Sequence, residues 1–444
     1  MKKSKTGGPK NKGASQLIQA VTDRQTHVPG PFEARRLECH TAVLAQSGSG
    51  KSFLVGRMIE EILLKTKARI VILDPNSDFV RLPGVDAATW KEPALQQWFF
   101  PGETMKKFKS HWSKIKPVIL SNRNFLPATR APKINWGGLS DRERANVIDL
   151  DPAAQPELYW TLVLAGDIAR QRWPDDAAEA DYDFENFRTV ANEVCDFLLG
   201  VDGAKELAQN PLAVSLRTTG VATGLQFRSF LDTLESFEIW RAVGDNERDI
   251  ADVLTNPAPR VTVIDLLSVE TESERLALTS RALSALWKMA RDGYSDALRD
   301  PDEPDQRVPT FLIIDEAHNL VPALRTSPAA ERLAGDVVRI AAEGRKFGLF
   351  LIVVTQRPRK LDPNILSECD GLFLMKMTND TDLKSAADLF GFLDPAVAKE
   401  AKALTVGEVF LQGRLGGSHT IWHVAPRRTM QGGKGIDSKY WTRV

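Results

Sequence analysis

Lys51 and Ser52 close a short segment, Ala45 to Ser52 (AQSGSGKS), in which small residues surround a single lysine. That composition suits the gripping of a polyphosphate. Several backbone N–H groups must converge on the phosphate oxygens, and Gly48 and Gly50 let the chain curl tightly enough. Ser47, Gly48, Ser49, Gly50, Lys51, Ser52 and Phe53 form the expected cradle. The N–H groups that open the next helix point at the anion, and the helix dipole favours it. Lys51 then places a point charge on the β- and γ-phosphates, and Ser52 offers a hydroxyl to Mg²⁺. ATP with Mg²⁺ is the expected cofactor pair. The first position usually carries glycine and here carries Ala45, which a negative φ would accommodate.

A phosphate turn needs acids at the end of a neighbouring strand. The run Phe311–Asp315 (FLIID) is apolar and ends on Asp315, followed by Glu316. Asp315 is the expected partner of the Mg²⁺ shell, and Glu316 the expected general base for water. The competing reading is that this acid pair merely caps a nearby helix. His318 completes a DEAH string and reads as a helix-start residue. Gln356, in TQRP after the run Leu349–Val354, is placed to contact the γ-phosphate and the lytic water. Asp74 and Asn76, in ILDPNSDF, end what reads as the strand beside the phosphate-turn strand. They either face the site or form the turn around Pro75. Arg345, in AAEGRKFG, and Arg357 are candidate arginine fingers, groups that a neighbouring subunit often supplies.

The elements that must hold these residues are legible as alternating runs. Thr41–Ala45 and Arg69–Asp74 read as buried strands flanking a helix over Ser52 to Lys65, a βαβ unit that implies a parallel sheet. Strand and helix patterns alternate again through Val261–Asp265, Glu272–Arg291, Phe311–Asp315, Ala329–Lys346, Leu349–Val354 and Leu372–Lys376. Later strands are expected at Glu408–Leu411 and Thr420–His423. Between them, residues 81–257 read as a mostly helical insertion, with helices at Phe184–Leu199 and Phe227–Val243 and strands at Val118–Leu120 and Val147–Leu150. Residues 31–80 and 258–425 form the expected α/β core. Residues 1–30 read as a flexible basic tail and 426–444 as a C-terminal tail.

Composition narrows the class. The chain has 444 residues, 43% hydrophobic and 26% charged, as in a folded water-soluble protein. Lysine plus arginine and aspartate plus glutamate both number 58, so no overall basic coat marks nucleic-acid binding; a channel could still concentrate basic groups. No apolar run approaches the roughly 20 residues that span a bilayer. Cys39, Cys195 and Cys369 are far apart and form no CxxC pair, so they read as buried thiols of a cytoplasmic protein.

The motif order AQSGSGKS, ILDPNSDF, VTVIDL, FLIIDEAHNL, EGRKFGLFLIVVTQRP and GEVFLQG resembles the HerA branch of the HerA/FtsK superfamily, over roughly residues 36–80 and 258–425. The resemblance implies a RecA-like P-loop ATPase that forms a hexameric ring and moves double-stranded DNA through its pore. Family members commonly work with a nuclease, such as NurA, or with sirtuin-like and other antiphage effectors. It further implies nucleotide and Mg²⁺ contacts for Lys51 and Ser52, a Walker B pair in Asp315 and Glu316, a sensor in Gln356, and a contact between subunits through Arg345. Family members typically carry a small β-barrel before the P-loop, and the residues of this sequence ahead of Ala45 are expected to be too few to form it. A second expectation is an ATP-binding scaffold that regulates an effector without translocating.

Overall fold

The computed structural model describes residues 17–23, 32–123, 129–173, 183–201, 205–218, 220–240, 248–299, 305–325, 327–417 and 419–432. Its strands are β1 (Leu17–Ile18), β2 (Val21–Asp23), β3 (Phe32–Glu33), β4 (His40–Leu44), β5 (Arg69–Asp74), β6 (Val118–Leu120) and β7 (Thr129–Arg130). They continue with β8 (Val261–Asp265), β9 (Thr310–Ile314), β10 (Leu349–Thr355), β11 (Cys369–Met375), β12 (Glu408–Gly413) and β13 (Trp422–Val424).

Short runs of Val, Ile, Leu and Phe buried along their whole length make these strands the interior of a sheet covered on both faces. The sheet runs β2-β13-β12-β11-β4-β10-β9-β5-β8-β6-β7. From β11 to β7 the pairings are parallel, and β12, β13 and β2 add an antiparallel margin. Alternate residues face opposite layers, as a pleated strand requires. Phe311 and Ile313 pack with the helix Lys51–Lys65 through Val55, Met58 and Ile59. Leu312 and Ile314 pack on the other face with Leu283 and Leu286 of the helix Glu272–Ala297 and Val337 of the helix Pro328–Glu343. Each such fully buried side chain contributes about 1.5–3 kcal/mol of transfer free energy. This large, mostly parallel sheet between helices is the α/β architecture expected.

Several expectations are corrected. β5 does not lie beside β4, because β10 and β9 stand between them. The acid-bearing β9 is likewise not the immediate neighbour of β4. Strand order depends on pairing between distant segments, which the local pattern does not encode. Val147–Leu150 is no strand. Ser140 and Glu143 form a reciprocal capping box that starts a helix over Asp141–Val147, and Asp149, at φ 54°, ends it. The segment expected as a basic tail contributes Ile18, Ala20 and Val21, all fully buried, and β2 covers the open edge of β13. The segment expected as a C-terminal tail supplies buried Arg427, Arg428 and Thr429, because Glu60 and Glu61 in the helix Lys51–Lys65 bind the Arg428 guanidinium.

Between β5 and β8 the described residues are largely helical. Helices Pro156–Arg172, Phe184–Leu198 and Val221–Glu235 gather with Trp136, whose ring lies 4.6 Å from Phe187 and 5.1 Å from Trp240. This region also carries β6 and β7, which extend the main sheet beyond β8. Cys39, Cys195 and Cys369 are free and buried.

His40 opens β4 fully buried, and its Nδ1 accepts a hydrogen bond from the Leu351 N–H at 2.9 Å. Burial, with the nearby Arg345 charge, pushes its pKa from 6.5 down to about 4. The folded chain therefore holds fewer protons than the unfolded chain between these values. Stability from this group is present above pH 6.5 and is lost as pH falls through 4, by up to about 3 kcal/mol. We expect the drop in melting temperature from pH 7 to pH 4.5 to be smaller for His40→Gln than for the parent. Equal drops would remove His40 from the acid response.

Candidate nucleotide site

The phosphate turn is anchored before it curls. Ala45 N–H donates to the Thr355 carbonyl at 3.3 Å, and Gln46 N–H to the Lys376 carbonyl at 2.9 Å. The turn therefore begins wedged between the ends of β10 and β11. Gly48 and Gly50 have φ of 76° and 99°, whereas Ala45 is not among the positive-φ residues. These are the values that ordinary side chains disfavour. The helix begins at Lys51, and its N-cap residue, Gly50, supplies no capping side chain. The Phe53 N–H donates to the Gly50 carbonyl at 3.1 Å, and no capping side chain competes with an anion for the N–H groups ahead of it. Phe53 sits in that turn, 36% exposed.

The paired acids come from far along the chain to the same place. Lys51 Nζ forms an ion pair with Glu316 and lies 3.5 Å from Asp315 Oδ1. Burial pushes Asp315 up to about 6 against the pull of Lys51, and the charges of Glu316 and Asp78 add to the rise. Burial opposes the Lys51 charge, but Asp315, Glu316 and Asp78 outweigh it and hold the ammonium above its usual range. Glu316 has φ 43° and ψ 47° and makes no side-chain cap. The helix-capping reading of this acid pair therefore fails for Glu316. A non-glycine residue in that region costs about 1–2 kcal/mol, and the surrounding burial maintains it.

His318 is more than a helix-start residue. Its Nδ1 lies 2.9 Å from Thr355 Oγ1 and 3.4 Å from Glu316 Oε2. Thr355 Oγ1 also accepts the Arg357 N–H at 3.0 Å. His318 thus ties the acid loop to the end of β10, where Gln356 and Arg357 follow. Gln356 is half-buried and Arg357 exposed.

Asp74 resolves the alternatives left open above. Its carboxylate accepts N–H bonds from Asn76 at 3.3 Å, Asp78 at 3.0 Å and Phe79 at 2.8 Å. It builds the turn around Pro75, and burial pushes its pKa up to about 8. The turn delivers Asp78, whose Oδ2 accepts the Ser52 hydroxyl at 2.7 Å. Sequence reasoning missed Asp78. The available signal was an Asx-type turn at Asp74, which swings the acid four residues later back over the strand end.

Arg345 is not brought to this cluster. It precedes β10, is exposed, and pairs with Asp370 at the start of β11. The length of β10 at about 3.3 Å per residue puts Arg345 about 20 Å from the phosphate end of the sheet. Within one chain it cannot contact a phosphate held by Lys51.

The residues fit a magnesium-bound polyphosphate. Asp315 Oδ2 and Glu316 Oε2 are buried without a hydrogen-bond partner, and the nearby donors are a hydroxyl and carboxylates, which suit a hard cation. Among the described residues no group of three or more His, Cys, Asp or Glu could hold a metal ion. Mg²⁺ characteristically takes one or two protein ligands and completes its shell with substrate phosphates and water.

Strand, glycine turn and helix, with acids closing from a strand one place removed, define a P-loop NTPase fold. The chain is similar over 94% of its length, and 97% of the other's, to the structure of VirB4 of Thermoanaerobacter pseudethanolicus, at a TM-score of 0.54 and 16% identity. The model of the helicase HerA central domain matches residues 20–286, and the chain belongs to that family, in the HerA branch of the HerA/FtsK superfamily. A "Probable DNA double-strand break repair helicase HerA" of Methanocaldococcus jannaschii is 26% identical over 419 residues, 90% of this chain and 74% of that protein. A "Probable helicase" of the same organism is 22% identical over 374 residues, 84% of this chain. The chain spans 60% of the length of that second relative.

Proposed function

We propose that the protein is an ATP-hydrolysing motor that assembles as a hexameric ring and translocates double-stranded DNA, working with a nuclease or an antiphage effector in the cytoplasm. The observation that carries the reading is the meeting of Lys51, Ser52, Asp315 and Glu316 at one end of the sheet. Membership of the HerA family supports the DNA substrate, as does the likeness to proteins named as double-strand break repair helicases. Among the described residues no helix is long and apolar enough to cross a membrane.

In this mechanism Lys51 gives up its pairing with Glu316 and turns its charge to the phosphates. Ser52 and Asp315 would hold Mg²⁺, which would supply charge neutralisation at the phosphate oxygens. Glu316, released from that pairing, orients the attacking water and takes its proton. Gln356 and Arg357, at the end of β10, stand where the γ-phosphate can be sensed. Arg345, on the opposite rim of the sheet, is suited to reach a neighbour's site. Hydrolysis at a subunit boundary then alters that boundary.

The test is ATP turnover with and without duplex DNA at low salt. A translocating ring should show DNA-stimulated turnover, lost steeply between 50 and 200 mM salt, and displacement of a protein roadblock. Turnover indifferent to DNA, with no displacement, would favour an ATP-binding scaffold that regulates an effector.

A further inference from the structure

The chain's last described segment, Pro426 to Gly432, lies outside the stretch matched to the HerA model and has no role in the mechanism above. It nevertheless crosses the phosphate helix directly behind Ser52. Arg427 is 1% exposed. Its Nη1 donates to the Ser52 carbonyl at 3.3 Å, and its Nη2 to the carbonyls of Asp78 at 3.5 Å and Met430 at 2.8 Å. Nε donates to Thr429 Oγ1 at 3.2 Å, and the guanidinium lies over the Phe79 ring at 5.2 Å. The Arg427 side chain rests on the helix where Gly56 leaves room; a Cβ there would stand 2.4 Å from Arg427 Cδ. The Gly432 N–H adds a bond to the same Asp78 carbonyl at 3.0 Å.

One planar cation thus holds the main chains of Ser52 and Asp78 together, while their side chains are joined by the hydroxyl-to-carboxylate bond of 2.7 Å. Ser52 is the residue whose hydroxyl would hold Mg²⁺, and Asp78 is the acid that fixes that hydroxyl. A guanidinium suits the task because its donors are fixed in one plane and its charge persists when buried.

Arg428, next in sequence, does different work. Its guanidinium binds Glu60, Glu61 and Glu103, behind the helix and away from Ser52. The segment therefore divides into a residue that fastens it to the helix and a residue that reaches the site.

We propose that Arg427 is a positioning residue for magnesium: it sets the separation of Ser52 and Asp78, and so links the seating of the C-terminal segment to the metal requirement of nucleotide binding. This rests on the reading of the site as one for Mg²⁺ and ATP.

The experiment is a titration of Mg²⁺ into the full chain with a fluorescent ATP analogue, with analogue binding as the readout and melting temperature recorded beside it. Failure of the parent to bind the analogue in Mg²⁺ would overturn the nucleotide reading itself. If the parent binds, Arg427→Ala should raise the half-saturating Mg²⁺ about tenfold, the loss of one to two charge-assisted hydrogen bonds. Arg427→Lys, which keeps the charge but not the fork, should fall between them and serves as the readout if the alanine variant does not fold. Arg428→Lys should lower the melting temperature and leave the Mg²⁺ midpoint in place. An unmoved midpoint in both Arg427 variants would overturn the proposal. So would an equal rise in Arg428→Lys, since general loosening would then account for the effect.

Discussion

Glu316→Gln should bind ATP within a few-fold of the parent and hydrolyse it about 10²–10⁴ times more slowly, the range lost when a general base is removed. The shape of the site makes this separation possible. Glutamine fills the same buried volume, so the left-handed turn at Glu316 and the contact to His318 can persist. Lys51 loses one of its acidic neighbours but keeps Asp315 at 3.5 Å, so its charge remains available to phosphate. What disappears is the carboxylate that accepts the proton of water. Single-turnover hydrolysis, measured beside equilibrium nucleotide binding, checks it. Equal hydrolysis by parent and variant would remove Glu316 from the role of base.

Lys51→Ala and Arg345→Ala should each abolish most turnover alone and regain part of it when mixed. Lys51 acts in its own subunit, because it reaches Asp315 and Glu316 of the same chain. Arg345 lies at the opposite rim, paired with Asp370, and in the proposed ring would serve only a neighbour's nucleotide. In a head-to-tail ring mixed equally and at random, about one boundary in four combines an intact lysine with an intact arginine. ATP turnover of the mixture, against the mean of the separate variants, is the measurement. Absence of any gain would assign Arg345 to the fold, through its bond to Asp370. Lys51→Ala also leaves two buried carboxylates without their cation, a change that typically destabilises by about 3–5 kcal/mol. Melting temperatures must therefore accompany the rates.

The chemistry was more legible than the wiring. The strands Arg69–Asp74 and Val261–Asp265 stand where the sequence puts them, because a run buried on both faces has no other stable use. The phosphate turn and the Asp315–Glu316 pair were visible as residue types at strand ends. The neighbours of β4 were not, because a pairing between residues some three hundred apart leaves no local periodicity. Asp78 escaped notice because its place depends on a turn held by backbone bonds to Asp74. Arg427 escaped for a related reason. A basic residue near the chain's end reads as solvated until the carbonyls that receive it are known. Val147–Leu150 misled in the opposite sense: a short apolar run looks like a strand, and only the capping box ahead of it reveals the helix.

The continuation of the sheet through β6 and β7 bears on how this molecule can be taken apart. A version trimmed of residues 81–257 would not be a core relieved of an ornament. It would present the flank of β8 to solvent as a row of unsatisfied amides and carbonyls, a template for pairing with other chains. Any partner lost on such trimming could have been lost to clumping. The intervening region is better dissected by single surface substitutions on its helices, which leave the outer ladder of the sheet closed.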